Sequence, residues 1–130
     1  MAASTDGAAR LDRDKRKIEA FLPVRVVEFQ ILLSLAAGER HGYGILRDAE
    51  TRGDQKVPDV GTLYRALARM TEQGLITGVD PGKTSDEVDE RRIYYRLTPL
   101  GLKVARAEAA RLAALTRAAQ LGGLLSEVVS

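Results

Sequence analysis

A mainly α-helical fold that carries one small β-hairpin is what this sequence predicts. Apolar residues recur at helical spacing along Val24–Ala37, His41–Glu50, Pro58–Gln73 and Thr98–Ala119. After Gly74 the period drops to two, over Leu75–Asp80 and again over Arg91–Thr98. Gly, Pro, Asp and Thr stand at the boundaries, where helices start and stop. At 130 residues the chain suffices for one domain with a modest core and is too short for two comfortable ones.

Residues 1–9 are rich in Ala, Ser, Thr and Gly and read as disordered. From Arg10 to Glu19 charges of both signs follow closely, as in a solvated, frayed helix or a DNA-contacting arm. Residues 1–20 are thus expected to form a flexible, charged segment. Pro23 opens the next stretch and Gly38 closes it. One stripe holds Val24, Val27, Ile31 and Leu35; a second holds Val26, Phe29, Leu33 and Ala36. A helix apolar on both sides must bury both. In so short a chain that points to a homodimer, with Val27 and Ile31 on the interface.

His41-Gly-Tyr-Gly44 starts the next helix, whose glycines suggest close approach to a neighbour. With a single histidine and no cysteine, no metal set forms, and His41 reads as a helix-start or packing residue. Thr51–Val57 is a polar turn. The helix that follows is the centre of the chain. Leu63, Leu67 and Met70 make its inward stripe, while Thr62, Arg65 and Arg69 lie outward with no acid between Asp59 and Glu72. Asp59 is placed to cap its start, and Gly74 to end it in a left-handed turn. A short helix with a small, cationic outer face suits a DNA major groove. Two helices joined by a short turn, the second cationic, form a helix-turn-helix pattern.

The two strands read as a β-hairpin, or wing, with Ile93, Tyr95 and Leu97 on one face and Arg92, Tyr94 and Arg96 on the other. Between them Gly82–Glu90 sets Lys83 against Asp86, Glu87, Asp89 and Glu90, a net charge of −3. Such a tip should turn away from phosphates. Backbone contacts then fall to Arg91, Arg92 and Lys83, unless the arginines only neutralise the loop. Thr98 and Pro99 open the last helix as cap and first position. Leu112, Leu115 and Ala119 mark its dimerising face, and Arg106, Arg111 and Arg117 read as solvated.

Composition removes other classes. Without cysteine there is no thiolate chemistry, and no run approaches the ~18 apolar residues of a membrane span. The N-terminus lacks a signal-peptide core, so a cytoplasmic location is expected. No nucleophile–base pair, carboxylate dyad or metal set appears, so neither an enzyme nor a cofactor is implied.

Three stretches, Ile31–Ile45, Gly61–Ile76 and Asp89–Glu108, resemble the PadR family of winged-helix transcriptional regulators, in that family's order and spacing. The resemblance implies a winged helix-turn-helix over residues 21–98 and a C-terminal dimerisation helix over 99–130. It implies a homodimer on double-stranded operator DNA, most simply a repressor relieved by a small molecule or another signal. Gly61, Thr62, Tyr64, Arg65 and Arg69 match the recognition-helix positions, and Arg91, Arg92 and Tyr95 the end of the wing. The chain departs from the family where Asp59-Val60 replaces the frequent Ser-Pro, which sets a negative charge near the phosphates. It also lacks the tryptophan with which some relatives stack planar drugs at the dimer interface. The alternative reading is an interaction module that dimerises without specific DNA binding, with the acidic wing tip as a contact.

Overall fold

The computed structural model describes residues 2–52, 58–79 and 93–125. The order is α1 (Ala2–Glu19), α2 (Val26–Ala36), β1 (Arg40–His41), α3 (Gly42–Thr51), α4 (Val60–Glu72), β2 (Ile76–Val79), β3 (Tyr94–Leu97) and α5 (Pro99–Leu121). The expected turn at 53–57, the wing tip and Lys83, Arg91 and Arg92 lie outside the described residues.

The core forms where α2, α3 and α4 meet the sheet and the start of α5. Ile31, Leu32 and Leu35 come from α2, Ile45 from α3, and Leu63, Ala66, Leu67 and Met70 from α4. Leu75, Ile76 and Val104 close it. All three residues expected inward on the central helix are therefore buried. Ile31 corrects the sequence reading: it is fully enclosed within the protomer, so its stripe faces the chain's own core. The second stripe is the bare one, with Val26 63% and Leu33 41% exposed.

The sheet is antiparallel in the order β1-β3-β2. β2 and β3 pair Ile76 with Leu97 and Val79 with Tyr94. β1 adds Arg40 opposite Tyr95 and His41 opposite Tyr94. The hairpin strands were expected and β1 was not, since two residues carry no readable period. As the alternation implied, Tyr95 and Leu97 pack against the core, whereas Ile93 just ahead of β3 is exposed.

The N-terminus differs from its reading as disordered chain: α1 is helical from Ala2 and packs along α5, with Ile18 against the core. Its composition, poor in large apolar residues, hid a helix whose support comes from α5. At the other end, Thr98 caps α5 by accepting from the Gly101 backbone N–H at 3.0 Å, and its hydroxyl donates to the Gly74 carbonyl at 2.6 Å. Gly101 lies so close to the Leu75 carbonyl that a Cβ there would sit 2.9 Å from the carbonyl carbon, and nearer to its oxygen. Beyond Leu112 the helix has little cover, with Leu115 55% and Leu121 80% exposed.

Candidate nucleic-acid interface

α4 begins where Asp59, in an extended conformation, accepts the Thr62 backbone N–H at 2.7 Å. That bond, with the Thr62 hydroxyl and the Arg65 charge adding to it, holds the Asp59 carboxyl below the usual range. The helix therefore starts on a fixed negative charge. It ends at Gly74, whose φ of +80° is the left-handed turn expected there.

At 100° per residue the outward side of α4 can be placed against its buried stripe. Arg65 stands about 150° from the centre of that stripe, whereas Tyr64 and Arg69 flank it at about 110° on opposite sides. Gly61, Ala68 and Glu72 share the outward side with Arg65, and all four are exposed. The small residues leave room for a surface to approach the helix closely. Arg65 folds back along it, with Nη2 3.3 Å from the Thr62 hydroxyl and Nη1 over Gly61.

The flanking residues are engaged elsewhere. Tyr64 lies over Gly42 at the start of α3, where a Cβ would meet its ring 3.1 Å from Cε1 and its hydroxyl nearer still. This is the close approach expected of that glycine. His41 caps α3, its Nδ1 accepting the Gly44 N–H at 3.1 Å, and its ring meets Tyr94 edge to face at 5.2 Å. The expected helix-start role is the observed one. Burial, with Tyr64 adding to it, pushes the Tyr95 hydroxyl up and keeps it protonated.

Arg69 is not the outward cation that the sequence suggested. Its Nε donates to Glu28 Oε2 at 2.8 Å and its Nη2 stands 2.7 Å from the same oxygen in an ion pair, which draws it onto α2. Arg111, read as solvated, is likewise paired: its Nε and Nη2 grip Glu108 at 2.7 and 2.8 Å. These bonds, and the Val24 backbone N–H, lower the Glu108 pKa against the effect of burial. Arg52 at the end of α3 donates to Gln30 and, at 2.6 Å, to the Ser34 hydroxyl of α2. The Glu108–Arg111 spacing of one helical turn was readable; the burial that matters was not.

The matching family model is that of PadR-like transcriptional regulators, over residues 31–107. The chain belongs to that family.

PadR-like proteins are transcription regulators, not enzymes. No curated protein matches the chain. Among solved structures it is similar to a PadR-family regulator from Clostridium difficile, at 24% identity over 75% of this chain and 97% of that one, TM-score 0.65. Bacillus subtilis PadR, solved in complex with operator DNA, matches at 27% identity over 65% of this chain and 47% of that one, TM-score 0.56. A mutant of Escherichia coli MarR shares the fold at 17% identity over 98% of this chain and 86% of that one, TM-score 0.60. The winged-helix architecture is common to all three. Among the described residues no group of side chains could hold a metal, and no helix is long and apolar enough to cross a membrane.

Proposed function

We propose that this PadR-like protein is a cytoplasmic, sequence-specific DNA-binding regulator that acts as a homodimer. The capped helix α4 carries the reading: Arg65 stands on its outward side between the small residues Gly61 and Ala68. Arg65 is long enough to reach a guanine edge and Thr62 stands beside it for a phosphate, while Tyr64, seated on Gly42, supports the helix. Lys83, Arg91 and Arg92, which lie outside the described residues, are expected from the sequence to add phosphate contacts. Arg69 leaves the reading set because Glu28 holds it.

Two apolar faces left open among the described residues support the dimer. On α2 these are Val26 and Leu33, with Val27 half-buried beside them; on α5, Leu115 with Leu112 and Ala119. Paired across a twofold axis, they would set the reading helices about one DNA turn, ~34 Å, apart on a pseudo-palindrome. A dimer so seated represses by occupying the operator. A cleft of about 390 Å³ between Phe29 and Leu33 of α2 and Leu112 of α5 would have room for a small-molecule signal.

Fluorescence anisotropy against the best duplex selected from a random-sequence pool, and against a scrambled duplex, tests this at two salt concentrations. The expected result is preference for the selected duplex, with a salt slope of about −0.9 per phosphate contacted. A folded dimer that binds neither duplex would leave the protein-interaction module as the reading.

A further inference from the structure

Arg65 and Arg69 stand one turn apart on α4, yet they are held in opposite ways. Arg65 is exposed, and among the described residues its side chain makes one long hydrogen bond, to Thr62 on the same helix, beside the Asp59 charge. Arg69 gives two nitrogens to one oxygen of Glu28, whose side chain is only 13% exposed. Glu28 lies in the first turn of α2, where the helix dipole favours a carboxylate. Its partner is 41 residues away in the chain, so the bond ties two helices together rather than decorating one. On the other flank of α4, Tyr64 is seated on Gly42. Contacts about 110° to either side of the buried stripe leave a helix little freedom to turn about its own axis.

That freedom matters for reading bases. A rotation of about 20° carries a tip at ~6 Å from the axis through about 2 Å, more than a hydrogen bond tolerates. From this geometry, and resting on the DNA-binding reading above, we propose that Glu28 is a positioning residue for operator recognition. It touches no DNA. By holding Arg69 against α2 it fixes the rotation of α4 and so the direction in which Arg65 points.

The test titrates the full-length parent, Glu28→Gln, Arg69→Gln, Arg69→Lys and the Glu28→Gln/Arg69→Gln double variant against the selected and scrambled duplexes at two salt concentrations. Each Gln variant is expected to lower the selected-to-scrambled affinity ratio about tenfold, and the double variant no further, because one interaction is lost in all three. Arg69→Lys, which keeps the charge but not the two-nitrogen grip, should fall between. The salt slope should stay at the parent's value, since no phosphate contact is removed. A merely weakened fold would reduce binding to both duplexes alike and leave the ratio intact, and that outcome overturns the proposal. So does an Arg69→Gln variant that loses about 0.9 of salt slope per subunit while Glu28→Gln binds as well as the parent. That pattern would make Arg69 a direct phosphate contact. A parent that binds neither duplex removes the DNA-binding reading itself, and this inference with it.

Discussion

Replacing Gly101 with alanine probes how α5 is seated on the sheet. Alanine is the better helix former by about 1 kcal/mol in a helix interior, so propensity alone favours the substitution. The structure opposes it. The new Cβ would sit 2.9 Å from the Leu75 carbonyl carbon, and the obstacle is backbone, which no rotamer change relieves. Overpacking of this kind costs about 1–3 kcal/mol, at times more, and here α5 must lift off the core or strain the turn before β2. The gain from propensity is also smaller than in an interior, because Gly101 lies in the first turn of α5. A net loss of about 2 kcal/mol should lower the melting temperature by roughly 6–10 °C in a domain of this size. Gly7, in α1 with nothing within 4 Å of its would-be Cβ, is the internal control. There alanine should leave stability unchanged or raise it by up to about 1 kcal/mol. Circular dichroism melts and urea titrations at matched protein concentration measure both. A Gly101→Ala protein that melts at or above the parent, with Gly7→Ala behaving as stated, would refute the argument from backbone contact.

Other expectations follow from the same geometry. Arg65→Ala should weaken binding to the selected duplex by about 1–3 kcal/mol and relax preference at one base pair per half-site, read by anisotropy against single-base variants. Asp59→Asn keeps an acceptor for the Thr62 N–H but removes the charge, so DNA affinity should rise with little change in melting, whereas Asp59→Ala should lower both stability and affinity. The folded-state pKa of Glu108 is lowered by Arg111, so its contribution is complete above the ordinary glutamate range and is lost as pH falls through the lower folded value. Urea midpoints from pH 7 downward should therefore drop more steeply for the parent than for Glu108→Gln, which at neutral pH starts lower by about 1–3 kcal/mol. Leu115→Glu, on the bare part of α5, should convert dimer to monomer in sedimentation velocity without loss of helix content.

Much of the central element was legible because its information is local. The stripe of Leu63, Leu67 and Met70, the Asp59 cap and the Gly74 turn are all set within α4 and its ends, and the structure has each of them. Where partners are distant in sequence, the pattern ran out. Glu28 and Arg69 are 41 residues apart, so spacing on α4 put Arg69 outward and said nothing of its ion pair. Ile31 and Leu33 both belong to apolar stripes of α2, and which one turns inward is decided by where α4 and α5 sit. Arg111 was one helical turn from Glu108 in plain view, yet only the burial of that carboxylate separates a structural pair from an ordinary surface one. Two-residue β1 and the weakly apolar α1 are stabilised by what they lie against, which no local pattern encodes.

The seat of α5 gives it the mechanics of a lever. Its pivot is the tight spot where Gly101 meets Leu75 and the Thr98 hydroxyl holds the Gly74 carbonyl, immediately past the end of α4. From Gly101 to Leu121 the arm runs for about 30 Å at 1.5 Å per residue. A tilt of about 6° at the pivot sweeps the far end through about 3 Å. In a dimer paired through the flanks of these arms, a small rearrangement between them would become a change in the separation of the two α4 helices, which bound DNA would set to the pitch of its own groove.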